Sequence, residues 1–136
     1  MTGWFLLVAI LGGLGLLWWI MQQAARRPRF GERERAIILD RWQYIEELMI
    51  KNRNKEAVLE ADKLLDFAFK EMRLKGESFA DRLRSAKNIL PNYQDIWVAH
   101  KLRNQLVHEI SAEANPREAE TALNTFKQAL RHIKAL

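Results

Sequence analysis

The 136-residue chain has no cysteine. That absence removes a disulfide framework, a thiolate nucleophile and any cysteine zinc site, and it suits a reducing cytoplasm. Charge is missing from a whole segment: Gly3 to Met21 (GWFLLVAILGGLGLLWWIM) carries none, and residues 1–30 contain no acid at all. Strand-like alternation, internal repeats and low-complexity tracts are missing too, which leaves all-α as the fold class. There is no glycine-rich phosphate loop, no metal-ligand cluster and no serine or cysteine nucleophile arrangement, so neither metal nor cofactor is expected.

What is present divides the chain in two. The uncharged run is 19 residues long, and at ~1.5 Å rise it makes a helix of about 28 Å, close to the thickness of a bilayer core. Trp4 stands at one end and Trp18-Trp19 at the other, where interfacial aromatics are expected. Arg26, Arg27 and Arg29 follow, so the positive-inside bias puts the N-terminus outside and the remainder in the cytoplasm. A cleaved signal peptide would need a basic start, and Met1-Thr2-Gly3 supplies none. Residues 1–30 therefore read as a single-pass transmembrane anchor with a basic juxtamembrane flank, in which Gln22 to Arg27 extend the helix until Pro28 stops it.

Residues 31–136 form the second part, about 106 residues with room for one small core. The net charge of +5 misleads: three of the 22 basic side chains lie in the flank, which leaves 19 against 17 acids, a balance of +2. Such a domain is not a general polyanion binder, and any nucleic-acid contact must be local.

Helical spacing predicts five helices here. The first runs from about Glu32 to Lys51 with Ile37, Ile38, Trp42, Ile45, Leu48 and Met49 in register, and Asn52 or Asn54 breaks and re-caps it. The second reaches about Leu74 with Val58, Ala61, Leu64, Leu65, Ala68, Phe69 and Met72 on one face and Gly76 as its stop. Ser78-Phe-Ala-Asp81 caps a short third helix. The fourth spans about Tyr93 to Ile110. Asn115-Pro116-Arg-Glu118 opens the fifth, with Ala119, Ala122, Leu123, Phe126, Ala129, Leu130 and Ile133 inward. Short connections suggest an up-and-down bundle.

Chemistry concentrates on the fourth helix. His100, Arg103, Asn104 and His108 fall within an arc of roughly 140° on a helical wheel, with Val98, Leu102, Leu106 and Ile110 opposite as a core stripe. A permanent cation, a carboxamide and an imidazole that titrates near neutrality make a set suited to a phosphodiester. Arg103-Asn104-x-x-x-His108 resembles the Arg-polar-x-x-x-His signature of the HEPN family, small all-helical nucleotide-binding and ribonuclease domains. The order of helices from Glu32 to Leu136, with the motif late and one helix after it, is similar to theirs. An N-terminal anchor is not part of the core family pattern.

The resemblance implies a metal-independent endoribonuclease with a site shared across a homodimer interface. Arg103 would clamp the phosphate, His108 would serve as general base or acid, and Asn104 would hold the phosphate or orient His108, with His100 as a possible accessory proton-transfer group. The motif face also carries Ile96, Trp97 and Val107, so the helix is apolar on both sides. Two readings of that strip stay open: a symmetric dimer interface built from those three residues, or a central helix covered by its neighbours. The function divides likewise between the nuclease and a non-catalytic tethered module that binds nucleotide, RNA or a partner protein.

Overall fold

The computed structural model describes residues 2–25 and 30–136, all of whose regular elements are α-helices. Arg26, Arg27, Pro28 and Arg29, the expected flank and helix stop, lie outside the described residues. The first helix, α1, spans Thr2–Ala25, and its large apolar side chains from Trp4 to Met21 are all exposed. Its Gly3–Gln22 stretch is long and apolar enough to cross a membrane, a property that a signal sequence shares.

The remaining helices are α2 (Glu32–Ile50), α3 (Asn54–Glu71), α4 (Phe79–Ser85), α5 (Tyr93–His108) and α6 (Pro116–His132). Their order and ends match the periodicity closely, because each strongly patterned segment has one apolar stripe to bury. In α3 that stripe is Val58, Ala61, Leu64, Leu65, Ala68 and Phe69, and in α6 it is Ala119, Ala122, Leu123, Phe126, Ala129 and Leu130. The hub is α3, which packs against α2, α4, α5 and α6, while α5 leans on α3 and α6. Lys127 of α6 reaches α2 through Glu46 at 2.7 Å and lies over the Trp42 ring. Phe30, five positions beyond the end of α1, is already buried in this core.

Three helix ends close without glycine. Asn52, Arg73 and Lys134 take left-handed φ values of 57°, 57° and 62°. Each turn then makes the paired hydrogen bonds of a Schellman motif, such as Arg53 N–H to the Leu48 carbonyl at 2.8 Å and Asn52 N–H to that of Met49 at 3.0 Å. The expected stop at Gly76 is therefore displaced: α3 ends at Glu71, and Arg73 takes the left-handed position. Gly76 is needed for another reason. At φ 145°, a Cβ there would lie 2.5 Å from Asp81 Cβ and 2.7 Å from Arg82 N, so only glycine lets the loop lie against α4.

The start signals function as expected. Ser78 Oγ accepts from Asp81 N–H at 3.1 Å while the Asp81 carboxylate accepts from Ser78 N–H, a complete capping box. Asn115 Oδ1 accepts from Arg117 N–H at 2.9 Å beside Pro116.

Around α5 the sequence expectation needs correction. Val98 is 70% exposed and Ile110 fully so, while Leu102 is half-buried and only Leu106 of the expected core stripe is buried. The buried face is instead Ile96, Ala99, His100 and Leu106. Because α5 carries apolar residues all round, periodicity alone could not choose its inner side; the contacts with α3 and α6 do.

Candidate functional site

The site begins on α3, not α5. Asp62 and Asp66, one turn apart, interrupt the apolar stripe of α3 and are forced inward by the residues around them. A carboxylate cannot be buried there without partners, and each has found one on a later helix.

Asp66 pairs with Arg82 of α4. The guanidinium meets it two-pronged, Nε to Oδ1 at 2.7 Å and Nη2 to Oδ2 at 3.0 Å, and Nη1 donates to the Gly76 carbonyl at 2.7 Å. Burial pushes the Asp66 carboxyl up, but the hydrogen bonds from Arg82 and Lys70 and their charges overcome it and hold it below the usual carboxylate range. The Arg82 guanidinium is in turn raised by the hydrogen bond to Asp66, against a smaller opposing effect of burial.

Asp62 receives two groups from α5. His100 Nδ1 lies 2.7 Å from Asp62 Oδ1, and Arg103 Nε lies 3.5 Å from Oδ2, an ionic contact too long for a good hydrogen bond. Arg103 Nη1 donates to Asn104 Oδ1 at 2.9 Å, and Asn104 Nδ2 lies 3.3 Å from His100 Nε2. His100 packs against two aromatic rings, Phe79 with centroids 4.5 Å apart and Trp97 edge-on at 6.1 Å, and Arg84 lies over the Trp97 ring.

Of the predicted residues, the structure thus joins His100, Arg103 and Asn104 into one ring. His108 ends α5 one turn beyond Asn104, exposed and making no hydrogen bond among the described residues. His100, expected to face outward, is buried against Asp62 because it lies on the inner side of α5. Ile96, expected at an interface between copies, has no exposure and belongs to the protomer's own core. Trp97 is half-buried over His100, and Val107 is exposed.

Asp62 is the site residue that apolar periodicity passed over. Its signal was available: a carboxylate four residues after Val58 and three before Leu65 lies inside the core stripe. An acid at such a position needs a cationic or imidazole partner elsewhere.

The clefts do not all point to this chemistry. One, about 990 Å³ between α5 and α6, is lined by Leu102, Gln105, Arg117 and Thr121 and touches none of Arg103, Asn104 or His108. A shallow one of about 380 Å³ is lined by Gln94, Trp97, His100, Lys101 and Asn104; of the predicted catalytic set it touches Asn104, and not Arg103 or His108. Polar groups that converge decide the matter here, so the shallow surface is the candidate. Compared with known proteins, the chain matches no family model, no curated protein and no solved structure.

Proposed function

We propose that the chain is a membrane-anchored, HEPN-like endoribonuclease that cleaves RNA without metal, as a homodimer on the cytoplasmic face. The observation that carries this reading is the state of Arg103. Its guanidinium is held on one side by Asp62 and Asn104, yet its side chain is 27% exposed, and Nη2 makes no hydrogen bond or ion pair to any described residue. That is a cation with donors left over, five residues before an exposed imidazole on the same helix.

In the proposed reaction the ribose 2′-oxygen attacks phosphorus and its proton passes to one His108. The bond from phosphorus to the 5′-oxygen breaks, and that oxygen takes a proton from a second histidine, leaving a 2′,3′-cyclic phosphate and a 5′-hydroxyl. Arg103 would stabilise the charge on the phosphorane oxygens, with Asn104 as a further donor. A single protomer offers one exposed His108, at the end of α5 and outside the shallow surface; a second copy would bring the other histidine and wall the cleft. Trp97 and Val107, beside the site and incompletely buried, are the residues for that contact. The apolar α1 would serve as the anchor.

A second reading is a tethered module that binds a nucleotide or protein without catalysis. One observation favours it: Asp62 already offsets part of the Arg103 charge.

The test uses the full chain in detergent micelles, incubated with single-stranded RNA in chelator. Cyclic-phosphate ends should form and fall by about 10²- to 10³-fold in Arg103→Ala, with a similar loss in His108→Ala. A folded dimer that cleaves none of several RNAs shifts the reading to the binding module. A protein that sediments as a monomer at high concentration removes the shared site.

A further inference from the structure

Asp62 and His100 have a task that the cleavage scheme does not use. We propose that they form a buried positioning device, which turns the free edge of Arg103 and the carboxamide of Asn104 toward the phosphate while touching no substrate. The inference rests on the reading of Arg103 and Asn104 as phosphate-handling groups.

The direction of every bond in the ring can be worked out. Arg103 Nη1 can only donate, so the Asn104 atom facing it must be the carbonyl oxygen. Asn104 Nδ2 therefore faces His100, and because an amide nitrogen only donates, His100 Nε2 must accept. The ring proton then sits on Nδ1 and is donated to Asp62 Oδ1. Asp62 Oδ2 stands 3.5 Å from Arg103 Nε and closes the circuit by charge rather than by a hydrogen bond, since the buried Nε has no hydrogen-bond partner among the described residues. One member out of place would set two donors against each other, so each orientation depends on the next.

Helix geometry explains why the device is needed. Arg103 and Asn104 are consecutive, so their side chains leave α5 about 100° apart. His100 lies three residues before one and four before the other, which places it between them on the helix surface. Asp62, almost wholly buried, fixes His100 from below and draws in the guanidinium by its inner edge. A pair serving stability alone would use up its donors, as Arg82 does; this ring leaves Nη2 over at the surface.

The same geometry leaves His100 little to offer a reacting oxygen. Both ring nitrogens are engaged within the protomer, the side chain is 11% exposed, and Phe79 and Trp97 pack against it. It is a positioning residue.

The deciding measurement is nitrogen NMR of histidine-labelled full chain in micelles at neutral pH, which needs no variant. His100 should show a protonated Nδ1 and an unprotonated Nε2, with Phe79 and Trp97 contacts, while exposed His108 averages between tautomers. A His100 proton on Nε2, or averaging like that of His108, overturns the proposal. Asp62→Asn is the second arm. It keeps the shape and can still accept from His100, but it removes the charge that holds the Arg103 inner edge. The RNA-cleavage kcat should fall about 10- to 100-fold through misplacement, while KM stays level or drops, because the uncancelled guanidinium charge still attracts phosphate. A lowered melting midpoint with kcat and KM unchanged would make Asp62 merely structural and overturn the proposal. If the parent cleaves no RNA, the nuclease reading fails, and the Arg103 Nε–H signal decides instead. It should be sharp and protected in the parent and averaged in Asp62→Asn; the same signal in both overturns the proposal.

Discussion

Two arginines meet two aspartates one turn apart on α3, and the pairs are built differently. Arg82 is 9% exposed at its side chain, meets Asp66 two-pronged and gives its last donor group to the Gly76 carbonyl. Arg103 is three times as exposed, stands 3.5 Å off Asp62, and shares its hold on that acid with a histidine. The first pair is closed and fastens α4 to α3. The second is open on one side, and the proposed phosphate contact relies on that opening. An arginine beside an acid is thus not one kind of object; the donors left over separate a closed fastening from a pair with room for another partner.

The contrast can be broken most forcefully at Arg82. Arg82→Met leaves the half-buried Asp66 carboxylate with Lys70 alone and the Gly76 carbonyl without its donor, and should cost about 2–3 kcal/mol, read as the shift in a denaturant midpoint of the full chain in micelles. Arg103→Met should cost less, about 1–2 kcal/mol, because His100 still donates to Asp62. Equal losses in the two variants would erase the distinction. Cleavage should show the reverse order, with Arg103→Met inactive and any residual activity of folded Arg82→Met close to that of the parent.

Acid sharpens the comparison. The folded Asp66 carboxyl lies below its ordinary value, so its contribution is complete above the unfolded value of about 3.9 and is lost as pH falls through the lower folded value. Without Arg82 the same carboxyl loses the strongest group that lowers it and keeps Lys70, so the variant depends less on its ionisation. The stability gap between parent and Arg82→Met should therefore narrow below about pH 4, seen as converging midpoints at pH 7 and pH 3.5. A gap that widens on acidification contradicts the assignment. The smallest effect belongs to the cap that sets α4 beneath this pair: Ser78→Ala should lose about 1 kcal/mol, measured the same way.

Helix order, most boundaries and two start signals were legible in the sequence, because α3 and α6 each have a single apolar stripe and Ser78 and Asn115 stand where caps belong. The inner face of α5 was not, since Val98 and Ile110 look as buriable as Ile96 until α3 and α6 take one side. The same ambiguity misplaced His100. Asp62 escaped notice because apolar patterning counts the residues around it and passes over the acid. Arg103 and Asn104 were identifiable by residue type; that His100 links them depends on a helix 38 positions earlier in the chain.

Phe30 is locked into the bundle five residues after Ala25, and five residues stretch to about 17 Å at most. For copies anchored in one bilayer, that short leash keeps every domain close to the lipid surface with the same end down. Two such domains can pair symmetrically only about an axis normal to the membrane plane. Encounters become a two-dimensional search, and the proposed α5 contact would have to stand sideways to the sheet of lipid, so the leash narrows the choice of partner surface before any side chain makes contact.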